Sequence, residues 1–555
     1  MDQNQENYSI GPKVWLPLAF ALVLIGGMYI GMNLRSEAPA MMVDRSTPVP
    51  GSSVGQGKIE ELIRYIEAKY VDEVDRDELI QDAIDEILKK LDPHSTYFTA
   101  EELAEATEQL EGSFDGIGVE FMVVDDTIVV VSPLAGGPSE AVGIMAGDKI
   151  ISVEDSIIAG LELSNRDIIH FLRGERGSEV KIGIQRGVED RVRYFSVTRD
   201  KIPMNSVDVA YMLDKKTGYI KINRFSATTY DEFMKGLEKL VEEDKMEDLV
   251  IDLRHNPGGY LQQATNILSQ LFKEKDKLLV YTDGRSVGRN DYESSGRAFF
   301  NVDDIVVLID EGSASASEIL AGAVQDHDRG IIVGRRSFGK GLVQEQYKLR
   351  DGSALRLTVA RYYTPSGRSI QKPYNDLDHY NEDVLGRYES GELTEADKMA
   401  IQDSTKYYTK DGHVVYGGGG LVPDVFVPLD TLLLNDTYLL LRQYIPEFTF
   451  KYVAEHPGEF SELTLENFSD RYTVGNAHFN AFLDYVKTKG MEEKPPHLNK
   501  VKGELELLIK ARIARQLFGD VGFFTILNED DEMVRKALEI LAEPDPLVLL
   551  KDEDK

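Results

Sequence analysis

Ile305-Val306-Val307-Leu308-Ile309-Asp310-Glu311-Gly312-Ser313-Ala314-Ser315-Ala316-Ser317-Glu318 is the stretch on which the fold of this chain turns. The apolar run 305–309 ends in polar residues and a glycine and reads as a buried strand, while the segment from Ser315 onward reads as a helix. The same alternation surrounds it, with strands at 218–223, 249–253 and 331–333 and helices at 230–243 and 261–272. Alternation of this kind predicts an α/β layered core, here placed at residues 201–430.

The stretch also carries chemistry. Ser315 and Glu318 have the spacing of a helix-capping box. Acyl transfer also wants a nucleophile near a helix N-terminus, where free N–H groups stabilise a developing oxyanion. Downstream, Phe338-Gly339-Lys340-Gly341 places a lysine in a glycine turn. It is either a surface lysine or a base, and a base near neutral pH needs its pKa lowered by roughly 3, about 4 kcal/mol, which burial can supply. Phe338, Leu342 and Val343 offer apolar surroundings, and Gln344 lies four positions on, so an extended backbone puts it on the face of Lys340. Asp252-Leu253-Arg254-His255-Asn256-Pro257-Gly258-Gly259 follows a strand and precedes a helix, where glycine amides either point at an anion or simply make a turn.

With 555 residues the chain exceeds the roughly 250 to 300 residues of one core, so several units are expected. A net charge of −34 without a Lys/Arg cluster argues against nucleic acid. Zero cysteines exclude thiol redox chemistry and thiolate metal sites. No metal-ligand spacing and no phosphate-cradling loop is found, so no metal and no cofactor is expected.

Residues 1–13 form an N-terminal tail, and 14–34 are nearly all apolar, close to the roughly 20 residues that span a bilayer as a helix. Ala38-Pro39-Ala40 resembles a cleavage site, so the segment is a membrane anchor or a cleaved signal. Either reading puts the rest of the chain in the cell envelope, anchored and facing the periplasm or exterior, or exported. Residues 35–57 are a Pro/Ser/Gly-rich linker, 58–110 a small helical unit, and 375–420 a tyrosine-rich insertion within the core. Residues 431–555 read as a C-terminal helical extension, open to a homo-oligomer interface or to an adaptor. The fold class is therefore multidomain α+β.

Residues 111–200 change to short β runs around one helix. Phe114-Asp115-Gly116-Ile117-Gly118-Val119, with Gly147-Asp148-Lys149-Ile150-Ile151 later, looks like a PDZ domain. In that fold the backbone amides of a glycine-containing loop take a peptide's C-terminal carboxylate, which assigns Gly116, Ile117, Gly118 and Val119 to substrate binding. Taken alone, these glycines also suit a tight strand entry.

Leu91-Asp92-Pro93-His94-Ser95-Thr96-Tyr97-Phe98, the PDZ signature, DLRHNPGG at 252–259, GSASASEI at 312–319, VGRRSFGKGLVQ at 333–344 and YYTPSGRSIQ at 362–371 stand in one order along the chain. In this the sequence resembles the C-terminal processing peptidases, or tail-specific proteases, over about residues 56–430. The resemblance implies a serine endopeptidase with Ser315 as nucleophile, Lys340 as general base and Gln344 positioning the lysine. It implies an oxyanion hole from the amides of Ala316 and Gly258, and a PDZ domain that feeds protein C-termini to the site. His94 reads on its own as a turn residue. Two rivals stand beside this expectation: a Ser-His-Asp hydrolase using His255 or His327, and a membrane-tethered PDZ scaffold with an inert protease core.

Overall fold

The computed structural model describes residues 57–187, 189, 191–491 and 495–551. The expected anchor at 14–34 and nearly all of the linker lie outside the described residues. Among the described residues no helix is long and apolar enough to cross a membrane. The chain divides into two compact units, one to Ala83 and one from Ile84. The first holds helix α1 (Lys58–Lys69) and the start of α2 (Arg76–Leu88). Within it Arg76 reaches Glu60 at 2.8 Å and Glu67 at 3.3 Å, exposed pairs that contribute little.

The second unit opens with strand β1 (Thr96–Phe98) and helix α3 (Ala100–Glu111), the latter started by a capping box between Thr99 and Glu102. The β-rich module follows: β2 (Ser113–Gly116), β3 (Val119–Val124), β4 (Thr127–Pro133), β5 (Lys149–Val153), helix α4 (Asn165–Leu172), β6 (Glu179–Gln185), β7 (Val192–Thr198) and β8 (Asp200–Pro203). Its antiparallel sheet runs β3-β4-β5-β6-β7, and Ile128, Val130, Ile150, Ile182, Ile184 and Val197 fill its interior. Strands β2 and β8 pair from Ser113↔Pro203 to Gly116↔Asp200, so the chain enters and leaves this module through one two-stranded ribbon.

The α/β core then runs β9 (Val207–Met212), β10 (Thr217–Ile222), α5 (Thr229–Glu238), β11 (Asp248–Asp252), α6 (Leu261–Leu271), β12 (Lys275–Asp283), β13 (Asn290–Ser295), β14 (Ile305–Ile309), α7 (Ala316–Asp326), β15 (Ile331–Gly334), β16 (Leu342–Lys348) and β17 (Ala354–Tyr363). The six-stranded main sheet has the order β9-β10-β11-β14-β15, closed at its edge by Val425–Phe426. The pairs β10/β11, β11/β14 and β14/β15 are parallel. A second sheet, β1-β17-β12-β13 with β16 on the free side of β17, brings the segment after Lys340 beside the LDPHS motif.

A parallel sheet needs both faces covered, and two different parts of the chain cover this one. On one face Ile251, Ile305, Val307 and Ile309 pack against Phe233, Ile267, Ile319 and Leu320 of α5, α6 and α7. On the other, Val250, Val306, Leu308, Ile331 and Val333 pack against the C-terminal helices. Period-two side-chain direction sorts successive residues of one apolar strand onto opposite faces. The C-terminal helix α8 (Leu498–Glu529) is broken at Gly519, where φ is 69° and ψ −160°. Before the break it packs in a separate cluster with Leu441, Phe448, Phe468 and Phe482. Beyond it α9 (Glu532–Leu541) lays Met533, Val534, Ala537, Ile540 and Leu541 on the sheet, each worth about 1 to 3 kcal/mol if it is a larger side chain. The end of the helical extension is thus a layer of the core.

The insertion at 375–420 is likewise pinned to the core. Arg387 donates to the carbonyls of Arg336 at 3.1 Å and Ser337 at 2.9 Å, and Lys372 lies between the rings of Phe338 (3.9 Å) and Tyr380 (4.1 Å).

Candidate active site

Helix α7 is buried along its whole length, which its Ala- and Gly-rich sequence allows, and Ser315 stands at its N-cap with φ 56° and ψ −112°. A serine rarely adopts this backbone, and the surroundings must hold it there. They do so through Glu318. Its carboxylate is fully buried and accepts from four donors: Ser315 N–H at 2.8 Å, Lys340 N–H at 2.9 Å, Gly339 N–H at 2.7 Å and the Ser337 hydroxyl at 2.5 Å. One oxygen, Oε2, therefore ties the backbone of Ser315 to that of Lys340. Tyr362 ties them a second time, its hydroxyl lying 3.1 Å from the Ser315 carbonyl and 2.5 Å from that of Lys340. Burial pushes the Glu318 carboxyl up to about 7 against its four donors.

The Lys340 ammonium is held below the ordinary lysine range, chiefly by burial and then by the like charge of Arg356, with Glu318 and Asp92 pulling the other way. Gln344, on β16, donates from Nε2 to the His94 carbonyl. His94 was legible only as a turn residue, yet it sits in this network. Its Nε2 lies 2.7 Å from the Tyr380 hydroxyl, and its pKa falls to about 4 through burial and then the charge of Lys340. The imidazole is thus neutral near pH 7. Asp92 holds the segment in place, accepting from His94 N–H and Ser95 N–H at 2.8 Å and from the Thr358 hydroxyl at 3.1 Å.

Gly258 closes the other side. Its φ is 94°, and a Cβ there would lie 2.6 Å from Ser315 Cβ, 2.6 Å from the Ala314 carbonyl oxygen and 2.9 Å from Ala316 N, so no side chain fits. Its amide donates to Asn256 Oδ1 at 2.9 Å. The Asn256 carbonyl accepts from Ala314 N–H at 2.9 Å and from the Ser317 hydroxyl at 2.9 Å, which locks the NPGG turn onto the start of α7. Asp310 adds a second lock, accepting from His255 N–H at 2.9 Å and Gly312 N–H at 3.0 Å. The His255 ring pairs with Asp310 at 2.9 Å while remaining 79% exposed, and His327 Nε2 lies 2.6 Å from the Leu278 carbonyl. Among the described residues neither ring hydrogen-bonds Ser315.

Glu318 and Tyr362 thus link the backbones of Ser315 and Lys340, Gly258 packs against Ser315 and Ala316, and Gln344 is bound to the His94 segment. Gly116, Ile117, Gly118 and Val119 stand apart from it at the β2/β3 junction of the β-rich module. There Gly118 (φ 70°) would bring a Cβ to 3.0 Å from Ile202 Cδ1, and the Ile117 carbonyl accepts from the Ser139 hydroxyl at 2.6 Å. A cavity of about 520 Å³ lies along α3 and β2, lined by Leu103, Thr107, Glu111, Phe114, Asp115 and Lys348 among others. Glu111 accepts from the hydroxyl of Tyr260 at 3.3 Å, directly after the NPGG turn.

The family model Peptidase family S41 matches residues 216–378, a PDZ domain matches 116–197 and the Activating protease CtpB N-terminal domain matches 21–102. A family of unknown function matches 437–519. The carboxy-terminal processing protease CtpB of Bacillus subtilis is 36% identical over 374 residues, covering 65% of this chain and 76% of that protein. A carboxy-terminal-processing protease of Bartonella bacilliformis is 32% identical over 435 residues, covering 77% of this chain and 97% of that one. Fold and site define a serine-type peptidase with a PDZ domain. The chain belongs to the carboxy-terminal processing proteases of peptidase family S41.

Proposed function

We propose that this peptidase is an endopeptidase that cuts exported proteins near their C-termini with a Ser315–Lys340 dyad. The observation that carries the reading is the single carboxylate oxygen of Glu318 that holds the backbones of both residues, beside a lysine whose proton is loosened by burial. Neutral Lys340 takes the proton of the Ser315 hydroxyl as Oγ adds to the scissile carbonyl. The amides of Ala316 and Gly258 then receive the oxyanion, the latter sharing its hydrogen between Asn256 Oδ1 and the new charge. The protonated lysine passes its proton to the leaving amine, and water enters by the same route to release the acyl group. Gln344 positions the lysine amine in this reading, and its bond from Nε2 to the His94 carbonyl supports that role.

In this reading the Gly116–Val119 loop takes the C-terminal carboxylate of the substrate and the β3 edge takes its strand. The cavity along α3 and β2 lies between that module and the core and suits the intervening polypeptide. Residues 111–200 act as the substrate-recognition domain and 201–430 as the catalytic domain, with the C-terminal helices completing the latter. The apolar segment 14–34 supports a location at the envelope. The test compares the parent with Ser315→Ala and Lys340→Ala on an unfolded protein with an apolar C-terminus. Cleavage by the parent alone is expected, and cleavage that survives Lys340→Ala sinks the dyad.

A further inference from the structure

Arg356 has no counter-ion among the described residues. It lies on β17 two residues before Thr358, opposite Gln346 of β16 and Thr96 of β1, while Thr358 lies opposite Gln344. Side chains two apart on a strand, and those directly opposite on its neighbours, share a face, so Arg356 stands on the face that carries Gln344. The half-buried guanidinium lies over the ring of Phe98 at 4.6 Å and donates to Gln346 Oε1 at 3.2 Å. Among the described residues no carboxylate pairs with it: the groups that act on its charge are Tyr260, which follows the NPGG turn, and Lys340, whose ammonium it repels. A half-buried cation held against a second cation is costly unless an anion arrives. The planar fork, already fixed by an aromatic ring and one neutral acceptor, is shaped for a carboxylate.

On the reading that Ser315 and Lys340 perform the cut, we propose that Arg356 holds a carboxylate of the bound polypeptide beside the scissile bond. The carboxylate is either an acidic side chain of the tail or the α-carboxylate of a short tail. The site is then selective for charge at the cleavage point, in addition to what the PDZ loop selects at the terminus.

The experiment uses the full chain and one peptide that the parent cleaves. Each residue flanking the cut is made Glu or Gln in turn, and separately the peptide ends in a free acid or an amide. The parent is expected to favour the carboxylate form about ten-fold or more in kcat/KM, at one residue or at the terminus, and that arm names the source. Arg356→Gln should bring the ratio to near one, and Arg356→Lys should keep only part of it because a point charge replaces the fork. The ratio is read within each variant, so a common effect on Lys340 cancels. A parent ratio of one in every arm, or a ratio unchanged in Arg356→Gln, overturns the assignment while leaving the dyad standing. If Arg356→Gln does not fold, an undiminished ratio in Arg356→Lys overturns it. No Ser315-dependent cleavage of any peptide overturns the underlying reading, and this one with it.

Discussion

Gly258→Ala tests the proposed oxyanion turn with the smallest change the sequence allows. The added methyl would stand 2.6 Å from Ser315 Cβ and 2.6 Å from the Ala314 carbonyl oxygen, against the roughly 3.5 to 4.0 Å of ordinary carbon contacts. Neither neighbour can swing aside, because Ser315 is tied through its N–H to Glu318 and the following helix is buried on every side. The NPGG turn must therefore retreat by about 1 Å. An oxyanion donor works at about 2.7 to 3.1 Å, so this retreat takes the Gly258 amide out of reach, and losing one donor costs about 10² to 10³ in kcat, roughly 3 to 4 kcal/mol. KM should change little, since the ground-state carbonyl gains little from that donor. The strained φ of 94° adds about 1 to 3 kcal/mol of instability. Gly412 separates the two effects: it has nearly the same φ, 98°, with nothing within 4 Å, so Gly412→Ala bears the backbone cost without the collision. The assay is kcat and KM on one peptide, with the affinity for a peptide boronate and urea unfolding measured alongside. A folded Gly258→Ala enzyme that keeps kcat and boronate affinity within a few-fold of the parent would refute the assignment.

Three further outcomes follow from the same geometry. The pH profile of kcat/KM should rise as Lys340 loses its proton, with a limb below the ordinary lysine value of about 10.4; Glu318→Gln, which removes a charge that favours the ammonium, should move that limb to lower pH, and Arg356→Gln to higher pH. Opposite shifts would show that these charges do not act on the base. His255→Ala should leave cleavage within a few-fold of the parent. Since Asp310 raises the pKa of His255, the pair's contribution is present below the ordinary value of about 6.5 and fades as pH rises through the raised one, so the variant's stability deficit should be larger at pH 5.5 than at pH 9 in melting experiments. Asp531→Ala removes the 2.6 Å partner of Arg254, two residues before Asn256, and should cost about 1 to 3 kcal/mol in urea unfolding; a cost near zero would mean that α9 does not brace this motif.

Much of the architecture is legible because it is local. The apolar run 305–309 and the helix after Ser315 follow from periodicity and length, and they emerge as β14 and α7. The β-rich module announces itself through its short runs and glycine turns. What periodicity supplies is the face a residue presents, and it does not say which distant segment that face will meet. Gln344 looks like a residue aimed at Lys340, but the atom that fixes its amide is a carbonyl 250 positions earlier, brought there by the pairing of β1 with β17. His94 and Arg356 stayed invisible for the same reason: each gains its meaning only when that second sheet forms.

Glu318 shows the limit from the opposite side. Its spacing from Ser315 is that of a capping box, and the bond from Ser315 N–H is the local half of that box. Its other three donors come from 337–340, a segment delivered by the crossover from α7 through β15. A cap needs one acceptor and an exposed serine would suffice for it, whereas a fully buried carboxylate must have its charge answered, and here the answer comes from the backbone that carries the lysine. Burial thus makes Glu318 depend on all four donors, two of which are the backbone N–H groups of the proposed nucleophile and base, and burial at Lys340 loosens that residue's proton.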